Sequence, residues 1–143
     1  MLVVITGASQ GIGYAVAEAF AAEGNTLCIC SKTAARLKEA TESLAKKYAT
    51  ATIHSMQADL AKPEDCKTFG HWCLSFGTPS ILINNAGFGL NDLFADMPLE
   101  RIQGMMQLNM VALTELTHMV LPMMLERGHG RIMNIASVVA FQP

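Results

Sequence analysis

A chain of 143 residues is long enough for one domain with its own core and too short for two. Its 10 basic and 12 acidic side chains are well mixed and leave a net charge of -2, which gives no basic field for nucleic acid or an anionic membrane. With 51% hydrophobic and only 15% charged residues, the composition suits a parallel sheet covered on both faces, or a piece of a larger fold whose remainder covers apolar surface.

Met1 leads straight into the apolar run Leu2–Thr6, the first predicted strand, so no signal peptide is expected and cytoplasm is the expected compartment. Thr6-Gly7-Ala8-Ser9-Gln10-Gly11-Ile12-Gly13 then turns the chain into a helix over Gly11–Glu23, with Ile12, Val16, Ala19 and Phe20 on its predicted inner face and Gly24 as its stop. Strand Thr26–Cys30 precedes a helix over Thr33–Tyr48 carrying Leu37, Ala40 and Leu44, and strand Ala51–Met56 follows. The third helix opens at Pro63 with Glu64 and Asp65 in its first turn, where proline and acids suit unpaired amides. Its predicted face is Cys66, Phe69, Cys73 and Phe76.

After strand Ile81–Asn84 comes a long helix, Leu99–Arg127, in which Pro122 predicts a kink, and then strand Arg131–Ala136. The apolar tract Met110–Leu125 is interrupted by Thr114, Glu115, Thr117 and His118. It falls short of the roughly 20 apolar residues of a bilayer span, so no membrane crossing is expected. Cys28, Cys30, Cys66 and Cys73 form no Cys-x-x-Cys pair and read as packing thiols. His54, His71, His118 and His129 lack ligand spacing, so no metal site is expected. Strand–helix alternation through five strands predicts an α/β doubly wound parallel sheet in a single domain over residues 1–143.

The glycine turn permits close approach of an anion to the amides of the first helix, and Gly13 permits close packing of that helix. Its spacing is not Gly-x-Gly-x-x-Gly, and alone it fits an ordinary turn equally well. Ile102, Met106, Asn109, Leu113, Leu116 and Val120 follow the spacing of one inward stripe, which would oblige the Asn109 carboxamide to find hydrogen-bond partners.

Thr6–Gly13 after strand one, Asp59-Leu60 after strand three, Asn84-Asn85-Ala86-Gly87 at strand four, Asn109 in the long helix and Ser137 after strand five together resemble the short-chain dehydrogenase/reductase family. Arg131–Ser137 and Phe141-Gln142-Pro143 look most like its bacterial ketoacyl-reductase-like members. The resemblance implies a Rossmann-type sheet of order 3-2-1-4-5, with the ligand beyond the carboxyl ends of strands one and four. It implies nucleotide binding by Gly7, Ser9, Gln10, Gly11, Ile12, Gly13, Asp59, Leu60, Asn85, Ala86 and Gly87. Asp59 would accept from the adenine amino group, and Asn84 would tie the strand end. Ser137 would orient the substrate, and Asn109 would hold a water in a proton relay.

Strand two ends Cys30-Ser31-Lys32 without the acid that binds a ribose 2'-hydroxyl, and Lys32, helped by Arg36, stands where a 2'-phosphate would be met. The expected cofactor is therefore NADP(H), with NAD(H) possible. The expected substrate is a small carbonyl or alcohol, and the complete family member is expected to be a homo-oligomer. Chemistry in this family uses a tyrosine with lysine four residues later, about a dozen residues beyond the serine. Neither Tyr14 nor Tyr48 has such a lysine, so the chain is expected to be an incomplete, C-terminally truncated stretch that does not turn over alone. A fifth strand at an open edge and the exposed methionines of the long helix (Met105, Met106, Met110, Met119, Met123, Met124) would follow. The alternative is a non-catalytic dinucleotide-binding module that ends at residue 143.

Overall fold

A computed structural model describes residues 1–138, so Phe141-Gln142-Pro143 lies outside the described residues. Strands β1 (Leu2–Thr6), β2 (Thr26–Ser31), β3 (Thr52–Gln57), β4 (Ile81–Asn84) and β5 (Arg131–Asn134) form one parallel sheet in the order β3-β2-β1-β4-β5. The helices are α1 (Gly11–Ala22), α2 (Ala34–Lys47), α3 (Pro63–Leu74), α4 (Leu99–Met106) and α5 (Leu113–Glu126).

Alternate strand residues feed two cores. Val3, Ile5, Leu27, Ile29 and Ile83 meet α1 and α2 on one face. On the other, Val4, Cys28, Cys30 and Leu82 meet Cys66, Phe69 and Cys73 of α3 and Leu116, Val120 and Met124 of α5. The central strands are thus buried on both sides, which is why they read as unbroken apolar runs.

Several expectations are corrected. Helix α1 buries Gly13, Ala17 and Ala21, whereas Ile12 is 61% exposed and Ala19 is also exposed. Only small side chains let the helix backbone lie close to the sheet, so the buried face is the small one, and Val16 and Phe20 pack at its margin. Phe76 lies past the end of α3, where it stacks on His54 at 4.1 Å and meets Trp72 edge-on at 5.1 Å instead of entering the core.

The long helix runs through Pro122 without interruption, and the proline lies on an exposed face. Its irregularity comes earlier, as a π-helical turn over Gln107–Ala112. That turn shifts the helix face, so Met106 and Asn109 are exposed and the buried stripe is Ala112, Leu116, Val120 and Met124. Leu99–Glu126 is 28 residues long and holds an 18-residue stretch of mean hydropathy 1.3, long and apolar enough to cross a bilayer, which the tract Met110–Leu125 read alone did not suggest. In the fold its inner face packs on α3 so closely that a Cβ on Gly70 would lie 2.7 Å from the Met119 sulfur. Among the described residues β5 pairs only with β4, and its Met133 is 52% exposed.

The four cysteines are unpaired in disulfides and buried. Burial pushes the Cys30 and Cys66 thiols up to about 12, and Cys73 is also raised, by its hydrogen bond with Cys28 and then by burial. Because the folded values of Cys30 and Cys66 lie above the ordinary 9.0, their contribution to stability is complete below pH 9 and is lost as pH rises toward 12. Denaturant midpoints measured across that window should therefore fall, and a Cys30→Ala/Cys66→Ala variant should show a shallower slope. At pH 8 a thiol reagent should leave the folded chain unlabelled and label all four cysteines in denaturant.

Candidate functional site

A cleft of about 350 Å³ opens at the carboxyl ends of β1, β2 and β4. Its floor is the turn between β1 and α1. Gly7 adopts φ 67°, a left-handed conformation that a side chain would strain. At Gly13 the limit is space: a Cβ would collide with the Gly7 carbonyl and the Asn85 carboxamide. Helix α1 starts without an acid in its first turn and without a side-chain cap from Gln10, and its first backbone bond runs from Tyr14 N–H to the Gln10 carbonyl. The preceding amides therefore carry the positive end of the helix dipole into the cleft.

Thr6, 2% exposed, fastens this turn to the end of β4. Its Oγ1 accepts from the amides of Asn85 (3.0 Å) and Ala86 (2.9 Å). Asn85 returns the contact by donating Nδ2 to the carbonyls of Thr6 (2.9 Å) and Gly7 (3.2 Å). Asn84 points the other way, donating Nδ2 to Asn134 Oδ1 (2.9 Å) and Thr117 Oγ1 (3.2 Å), and so ties β4 to β5 and α5.

The rim is polar and charged. The hydroxyls of Ser9 and Ser31 lie 2.8 Å apart. Lys32 Nζ lies 3.4 Å from Asp59 Oδ2, and Asp59 Oδ1 also accepts from the Ala61 amide at 3.3 Å. Arg36 Nη1 donates to Gln10 Oε1 at 2.9 Å. Ile12, Leu60 and Leu108 supply apolar wall.

Every residue assigned to the nucleotide from sequence lines this cleft except Arg36, which lines a neighbouring hollow of about 400 Å³ together with Ser9 and Gln10. Asn109 and Ser137 lie outside its lining. The Asn109 carboxamide clasps the Phe88 backbone, accepting from its N–H at 3.1 Å and donating to its carbonyl at 2.9 Å. Ser137 is exposed three residues past β5. Sequence reading did not single out Thr6 as the clasp or Leu108 as wall. Thr6 was visible inside the quoted turn, but Leu108 reaches the cleft from the π-helical turn, which periodicity does not reveal.

Residues 1–143 match the family described as short chain dehydrogenase. The chain belongs to that family. The ketoacyl reductase HetN of Nostoc sp. is 35% identical over 137 residues, covering 95% of this chain and 47% of the relative. The 3-oxoacyl-acyl-carrier-protein reductase of Aquifex aeolicus is 33% identical, covering 96% and 56%. Among solved structures, a short-chain dehydrogenase from Sphingobium yanoikuyae in complex with NADPH superposes with a TM-score of 0.93 at 37% identity, covering 99% of this chain and 55% of that one. L-sorbose reductase from Gluconobacter frateurii, complexed with NADPH and L-sorbose, gives 0.91 at 37%, covering 99% and 54%. The chain thus spans about half the length of the relatives it matches.

Within this dehydrogenase fold, Thr6→Val should orphan two amides at the cleft floor. A loss of roughly 1–3 kcal/mol for each is expected in urea unfolding. Thr6→Ser keeps the acceptor and should lose less than half as much, so equal losses would reject the clasp.

Proposed function

We propose that the cleft binds NADP(H), and that the chain forms the cofactor-binding part of an oxidoreductase interconverting a carbonyl and an alcohol. The observation that carries this reading is the meeting of two features at one cleft: the uncapped N-terminus of α1 below, and Lys32 just past β2, where no acid stands, with Arg36 in the adjoining hollow. The NADPH complexes of the Sphingobium and Gluconobacter relatives support it.

The residues present fit a dinucleotide. The lack of a Cβ at Gly13 and the turn at Gly7 keep the floor low enough for a pyrophosphate to reach the α1 amides. Ser31 and Lys32 face the ribose 2'-phosphate. Asp59 accepts from the adenine amino group, and Leu60, Ala86 and Gly87 border the adenosine. When bound, NADPH supplies the hydride. Asn109 shapes the far end by fixing the Phe88 backbone beside Gly87, and its carboxamide is the one that would order a water there. The Ser137 hydroxyl donates to the substrate oxygen.

A second reading is a binding module without turnover; within these 143 residues neither Tyr14 nor Tyr48 has a lysine four positions on, which fits both readings. On both readings this 143-residue chain binds cofactor and shows no carbonyl-dependent NADPH oxidation. For the whole protein we propose a small carbonyl or alcohol as substrate and a homo-oligomeric state.

Lys32→Ala should weaken NADPH about tenfold, the order of one charge-assisted phosphate contact, and leave NADH within twofold. Titration of both dinucleotides by cofactor fluorescence checks this. Equal losses for the two would reject the 2'-phosphate assignment.

A further inference from the structure

Gln10 is the N-cap residue of α1 yet makes no side-chain bond to its own helix. Its carboxamide oxygen accepts instead from Arg36 Nη1 at 2.9 Å, across to the first turn of α2. That turn is an unfavourable place for a cation, because a helix N-terminus is itself positive. No acid stands in the first turn of α2 and no side chain caps it. Lys32, just ahead of α2, adds a second positive charge, but Asp59 takes up part of that charge through the ion pair. Among the described residues Arg36 forms no ion pair, although Glu39 borders the same hollow. Gln10 lines both the cleft and the hollow that Arg36 borders, and Arg36 itself does not reach the cleft lining.

Taking the cleft as an NADP(H) site, the geometry points to Gln10 as a positioning residue that acts through Arg36. Its carboxamide holds the guanidinium at the rim, where the unshared charge meets the 2'-phosphate. Cofactor choice then depends on a neutral side chain in the glycine turn as well as on the cations after β2.

The test uses the 143-residue chain and two probes without nicotinamide, adenosine 2',5'-bisphosphate and AMP, titrated calorimetrically against wild type, Gln10→Ala, Arg36→Ala, the double variant and Lys32→Ala. Gln10→Ala should weaken the bisphosphate about fivefold and AMP less than twofold, and should have no further effect once Arg36 is alanine. Gln10→Glu keeps the bond but cancels the charge, and should weaken the bisphosphate at least as much. Additive losses in the double variant, or equal losses for AMP, would overturn the positioning role. If Lys32→Ala and Arg36→Ala discriminate between the probes while Gln10→Ala does not, only this inference fails. Equal binding of both probes by wild type would remove the NADP(H) reading and this inference with it. Gln10 and Arg36 are exposed, so thermal melts of the variants should overlay wild type.

Discussion

The cleft exists because β1 and β4, neighbours in space but far apart in sequence, send their chains to opposite faces of the sheet. What keeps the two strand ends together beyond the last ladder bond is Thr6. Its hydroxyl serves two amides of the next strand, while Asn85 serves two carbonyls of the first. These are buried or half-buried backbone groups at the end of the β1–β4 pairing, where the last register pair is Ile5 with Ile83. The same side chains set the height of the floor: the Asn85 carboxamide and the Gly7 carbonyl fill the space where a Cβ of residue 13 would go. Closure of the sheet and shape of the site are therefore one set of contacts.

On this floor the charge arrangement is unfavourable until an anion arrives. The α1 amides lack a cap, α2 begins beside two cations, and of these only Lys32 forms an ion pair among the described residues. Exposed pairs such as Lys32–Asp59 contribute little to folding, so the rim carries almost no compensation within the chain. A ligand with phosphates at two places would relieve both ends at once. That is a stronger argument for a dinucleotide than the glycine spacing, which departs from the general fingerprint.

Strand positions and helix types were legible in the sequence because burial on both faces leaves unbroken apolar runs between periodic segments. Strand order was not legible from periodicity and came from the family resemblance. The faces of α1 and of the long helix were misjudged for two different reasons. In α1 the bulky residues define an apparent stripe, but a helix lying against a glycine turn needs small residues inward, and Ile12 turns to the cleft. In the long helix a π-helical turn breaks the period where Asn109 sits, so the expected inward carboxamide stands at the surface and finds its partners on the Phe88 backbone. Its need for partners was read correctly from the wrong face.

The lining of the cleft ends at Leu108, whereas the two residues assigned to chemistry are Asn109 and Ser137. Beyond the cleft, Met110, Leu125, Met133 and Val138 present apolar surface, and among the described residues β5 is paired on one side only. An edge of that kind favours association. Asn109 joins the cleft wall to the loop beyond it: its π-helical turn carries the wall residue Leu108, and its carboxamide holds the Phe88 backbone that follows Gly87.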